Sequence, residues 1–177
     1  NIEAAREAAD LALDMEPKLA GAWALRGRLM HRTGKHREAL SDLHRAEGLD
    51  TKNTSYQLEI ADLYLGLNEP DRALATLQSL SGKWSPEQEP VAALALTGKA
   101  YSAMNRYDDA VDSLLLASSR GHIDSETLYL LAEAQLHAGR PRQAVAAAQK
   151  ALTLDPHHAA SRHLLAQMGI GQPTLRR

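Results

Sequence analysis

Five alanines, Ala5, Ala39, Ala73, Ala110 and Ala144, fall 34, 34, 37 and 34 residues apart along this chain. A second ladder, Gly27, Ala61, Gly98, Ala132 and Ala166, steps by 34, 37, 34 and 34. Both absorb the same three-residue excess, so an insertion must lie between Leu80 and Gly98. A fixed period in this range marks stacked supersecondary units that bury their apolar faces only against their neighbours. Small side chains recur where helices approach closely, because larger ones would force the backbones apart. The ladders predict an all-α solenoid of antiparallel helix pairs.

The local punctuation agrees. Gly34, Asn68, Asn105 and Gly139 occupy one repeat position, and glycine and asparagine tolerate the left-handed conformation that ends a helix. Pro70 and Pro141 follow two residues later, where the first turn of a new helix has no use for an N–H. Apolar residues then return at helical spacing, as in Leu40, Leu43 and Ala46, or Val111, Leu114 and Ala117. Strand-like alternation is absent. Ser81 to Pro90, rich in helix breakers, is predicted to be a loop.

The residues around the ladders carry a family likeness. Trp23-Ala-Leu-Arg-Gly27, Tyr-Asp-Asp-Ala110 and Lys-Ala151-Leu-Thr-Leu-Asp-Pro156 resemble the tetratricopeptide repeat, with its helix-A tryptophan and glycine, helix-B alanine and closing proline. The likeness divides the chain, as one array over 1–177, into full repeats at 20–53, 54–90, 91–124 and 125–158. Residues 1–19 form helix B of a truncated repeat, 159–169 a closing helix A, and 170–177 a tail. It implies a right-handed superhelix of helix pairs. Departures are Arg26 and Thr97 in place of leucine, Met30 and Gln135 in place of tyrosine, and Thr51 in place of proline. Phenylalanine is absent from the chain; Leu43, Leu77, Leu114 and Ala148 take its usual place on helix B. Trp23 is expected in the core, and Trp84 is expected either to plug a gap between repeats or to face a partner.

Twenty basic and 22 acidic residues leave a net charge of −2, without the basic stripe that nucleic acid demands. No apolar run reaches the ~18–20 residues of a membrane helix, so membrane insertion is not expected. The absence of cysteine excludes disulfides and thiol chemistry. No phosphate loop, zinc helix, nucleophile elbow or dinucleotide fingerprint is present, so neither catalysis nor a cofactor is expected. His157, His158 and His163 cluster without the i,i+4 spacing that stacks two metal ligands, and are read as solvated or capping. Asp108-Asp109 suits the start of a helix. Asn53-Thr-Ser55 matches a glycosylation acceptor, which the bacterial look of the Ala, Leu and Arg usage sets aside.

The family resemblance also implies where a ligand would sit: the A helices line a concave groove through repeat positions 2, 5, 9, 12 and 13. Position 9 holds Arg28, Asp62, Lys99, Glu133 and Gln167, a row alternating in charge until its last member. Positions 5 and 12 add Leu58, Tyr129 and His163, and His31, Leu65, Leu136 and Ile170. The expected partner-binding residues are Arg28, His31, Leu58, Asp62, Leu65, Lys99, Tyr129, Glu133 and Leu136. The row could equally be satisfied internally, by pairing across neighbouring helices. Ala24, Arg28 and Glu59, or Leu58, Asp62 and Leu96, do not make the carboxylate clamp of chaperone-binding members.

The leading reading is a non-catalytic scaffold holding a protein or peptide partner. A second is the regulatory or substrate-recruiting arm of a larger enzyme, since the sequence opens in mid-repeat and a longer parent is expected. A third is self-association through end faces or the Trp84 loop.

Overall fold

The computed structural model describes residues 1–85, 87–121 and 123–170, and the regular structure among them is entirely helical. The helices are α1 (Ile2–Met15), α2 (Ala20–Arg32), α3 (His36–Leu49), α4 (Ser55–Gly66), α5 (Pro70–Ser81), α6 (Val91–Ala103), α7 (Tyr107–Ser119), α8 (Ser125–His137), α9 (Pro141–Leu154) and α10 (Ala159–Gln167). Each predicted full repeat is one helix pair, α2–α3, α4–α5, α6–α7 or α8–α9. Among the described residues no helix is long and apolar enough to cross a membrane. Of the expected tail, 171–177 lie outside the described residues.

The turns obey backbone chemistry. Gly34, Asn68, Asn105 and Gly139 all take positive φ, at 80°, 59°, 60° and 75°. Each donates its N–H to the carbonyl three residues back, and the next residue donates five back, as in Lys35 to Met30 at 2.9 Å and Arg140 to Gln135 at 2.8 Å. This paired closure satisfies carbonyls that a helix end otherwise leaves orphaned. Gly169 repeats the motif at φ 74°, closing α10. Pro70 and Pro141 open α5 and α9 as expected.

The helices gather into two compact units, Asn1–Glu87 and a second from Gln88 onward, and the boundary falls within the predicted insertion. In the first, α1 to α5 pack in chain order; in the second, α6 to α10 do so. Ala39, Ala61 and Ala73 are fully buried in the first unit, and Ala110, Ala132 and Ala144 in the second. The closest approach is at Gly98, where a Cβ would stand 2.5 Å from Leu114 Cγ. At Gly27 the tightest neighbour would be the Ala39 carbonyl oxygen at 3.1 Å.

Two expectations are corrected, for Trp23 and for the ends of the small-residue ladders. Trp23 is half-buried rather than core: its indole N–H donates to Pro17 O at 2.9 Å, so the ring caps the α1–α2 connection and keeps a solvent edge. Ala166 is exposed and Ala5 only half-buried, because among the described residues α10 has no helix B and α1 no helix A of its own repeat. Arg26, in the leucine position, carries a partly buried ion network. Its guanidinium donates twice to Asp42, at 2.7 and 2.9 Å, and once to Asp10 at 2.9 Å, joining α1, α2 and α3. Trp84 is half-buried.

Candidate partner-binding surfaces

Each unit carries cavities on the face formed by its A helices. In the first unit a 320 Å³ cavity opens between α2 and α4, lined by Arg28, His31, Arg32, Glu59 and Asp62 over Leu43 and Leu63. In the second, a 300 Å³ cavity between α6 and α8 is bounded by Lys99, Ser102, Tyr107, Leu130, Glu133 and His137. A neighbouring 500 Å³ cavity between α8 and α10 is bounded by Tyr129, Glu133, Leu136, His137, His163 and Gln167. Glu133 and His137 form the ridge these two share. Within each unit, A-helix residues spaced by a whole repeat face the same way, so Arg28 and Asp62 share the cavity of the first, and Lys99, Glu133 and Gln167 line the two of the second.

Arg28 is not a free cation. Its Nε and Nη2 donate to the two carboxylate oxygens of Glu59 on α4, at 2.7 and 2.6 Å, and this raises its pKa further. The partner of the first basic member is thus Glu59, three residues before Asp62, not the next residue of the row. Tyr129 Oη donates to Glu133 Oε1 at 2.9 Å. Burial first, and then that bond, push the phenol from 10.0 to about 12, so it stays a neutral donor. Tyr107 stacks on His137 with centroids 4.9 Å apart, adding a flat aromatic wall to the α6–α8 cavity.

Of the expected residues, the cavities bring together Arg28, His31 and Asp62 in the first unit, and Lys99, Tyr129, Glu133 and Leu136 in the second. Leu58 and Leu65 line none of them; Leu63 supplies the apolar floor instead. Sequence reasoning passed over Arg32, Glu59, Tyr107 and His137. Arg32 and His137 hold position 13 and were within reach of the same register argument. Tyr107 opens a B helix and carried no such signal.

The histidine cluster does cap a helix. His158 precedes α10, lying 2.9 Å from Ser161 Oγ and accepting from Ser161 N–H at 3.3 Å, with its other nitrogen 3.1 Å from Glu126. Asn53 Oδ1 accepts from both the N–H and the hydroxyl of Ser55 at the start of α4.

Sequence profiles of the tetratricopeptide repeat match residues 58–126 and 125–158. No curated protein matches the chain. Among solved structures it is similar to TTC0263, a thermophilic TPR protein of Thermus thermophilus, at 21% identity and TM-score 0.77, covering 94% of this chain and 89% of that one. It is also similar to MamA (41-end) of Desulfovibrio magneticus RS-1, at 14% identity and TM-score 0.74, covering 89% and 88%. A third is YrrB, described as a TPR protein with an unusual peptide-binding site, at 18% identity and TM-score 0.69, covering 94% and 84%. These likenesses show the fold.

Proposed function

The chain belongs to the tetratricopeptide repeat family, whose fold serves protein–protein interaction, and on that premise we propose that it holds a protein or peptide segment against its A-helix faces without reacting with it. What supports the reading is the position-9 row, whose five residues all open onto cavities of 300 to 500 Å³. Pockets of that size suit single side chains of an extended segment, with polar groups fixing their orientation. Tyr129 offers a ring with a polar tip, the kind of side chain enriched among interface anchors.

The test is binding of a partner captured with this chain, measured for Arg28→Ala, Lys99→Ala, Tyr129→Ala and the exposed helix-B variant Arg45→Ala, with folding checked by circular dichroism. Tyr129→Ala should cost about 1–2 kcal/mol, mainly through faster dissociation. Lys99→Ala should chiefly slow association and flatten its salt dependence. Groove variants that bind like the unmodified protein, beside an Arg45→Ala that fails, would refute the proposal.

A further inference from the structure

Gln135 breaks its family's pattern, and a cavity lies beside it. At the same repeat position Tyr64 and Tyr101 lie beneath arginines, with Arg72 4.3 Å and Arg106 4.5 Å from the ring centroids. The Tyr64 hydroxyl is satisfied, accepting from Arg72 at 3.0 Å and standing 3.1 Å from His44 Nε2. A glutamine is shorter than a tyrosine and has no ring to cover. In its repeat a 430 Å³ cavity opens among α7, α8 and α9, on a different side of α8 from the row of Tyr129 and Glu133.

Leu115, Leu128, Leu131 and Ala147 make its apolar wall, and Leu115 is 44% exposed. Gln135 is 5% exposed, and its Oε1 is buried with no hydrogen-bond partner among the described residues. Arg140 and Lys150 bring positive charge, and no carboxylate lines the cavity. Arg140 commits one N–H to Asp108 at 2.6 Å and keeps others to offer. A buried amide without partners is costly to a fold, and such costs persist where a site is used.

We propose that this cavity is a second binding site, taking an apolar side chain of a partner peptide that carries a carboxylate beside it. The apolar wall receives the side chain, Lys150 and Arg140 meet the carboxylate, and the Gln135 amide pairs with the adjacent peptide group. That last requirement favours a peptide over a simple fatty acid, because a primary amide offers both a donor and an acceptor. The carboxylate comes either from an acidic side chain or from a chain terminus.

The test is a nuclear magnetic resonance titration of the labelled full chain with four probes: a capped pentapeptide holding leucine then glutamate, its leucine–glutamine counterpart, an acetylated pentapeptide ending in a free leucine carboxylate, and decanoate. Saturable shifts at amides of α7, α8 and α9 are expected with one or both carboxylate peptides, and which of them binds identifies the source of the charge. Lys150→Glu should weaken that binding about tenfold, as loss of a charge-assisted contact does. Gln135→Tyr, which places there the residue of the second and third repeats, should put a ring against the apolar wall, remove the unpaired amide and abolish binding while the protein stays folded. The proposal falls if neither carboxylate peptide shifts these amides, if the glutamine peptide or decanoate binds equally well, or if Gln135→Tyr binds like the unmodified chain. None of these results bears on the A-helix faces, so the proposed scaffold function stands or falls separately.

Discussion

Gly98 shows how one missing side chain sets the spacing of two helices. A methyl there would meet the branch carbon of Leu114 at 2.5 Å, a stem atom that cannot swing aside as a chain end would. Overpacking of this kind costs about 1–3 kcal/mol. Alanine returns about 0.5–1 kcal/mol through helix propensity, so Gly98→Ala should lose about 1 kcal/mol or more in chemical denaturation; an unchanged midpoint would contradict the close approach. The fourth repeat solves the same contact the other way, with buried Ala132 and Ala148 at the matching positions. Tyr129 offers a second test. Its pKa is raised in the folded state, so its contribution to stability is intact below about pH 10 and fades as pH climbs through about 12. Ultraviolet titration of the phenolates should show a late-titrating component that Tyr129→Phe removes.

Helices α1, α2 and α3 are held by an arginine where the repeat ordinarily places leucine. Asp42 is 5% exposed, so its charge depends on the Arg26 guanidinium for compensation. Arg26→Leu alone strands that carboxylate and should cost about 3 kcal/mol, the lower end for breaking a buried pair because Arg26 reaches partly into solvent. The double change Arg26→Leu with Asp42→Ala transplants the fourth repeat's own pair, Leu131 and Ala147, into the first. Thermal and urea unfolding should show most of the loss recovered. A double variant as unstable as the single one would mean that the network's contact with Asp10, not the stranded Asp42, governs the cost.

Across the whole molecule, the boundary between the two compact units falls in the one segment whose length breaks the period. Lys83 is exposed there, just beyond the end of α5 and tied by its ammonium to Gln57 Oε1 at 2.8 Å. Most other tryptic sites lie in helices whose backbone is hydrogen-bonded, so limited trypsinolysis should cut first after Lys83 and leave two helical fragments. Mass spectrometry of the first products would decide it; initial cuts inside α3 or α9 would show that those helices open before the segment does.

The helix pairs and their turns were legible in the sequence because they depend on local and periodic constraints. Only small residues fit the ladder positions between helices, and only glycine or asparagine easily takes the positive φ at Gly34, Asn68, Asn105 and Gly139. The A-helix register could be read too, because within each unit residues one repeat apart must face alike. What the period could not specify was which side chains pair across that register. Arg28 chose Glu59 and Arg26 chose Asp10 and Asp42, since long side chains select partners by distance in space, not by repeat position. Trp23 kept a solvent edge and Ala166 stayed exposed for a related reason: burial belongs to the neighbours a residue finally meets. The Gln135 departure was visible in the sequence, but the cavity beside it depends on how α7, α8 and α9 pack against one another, and only the tertiary structure decides that.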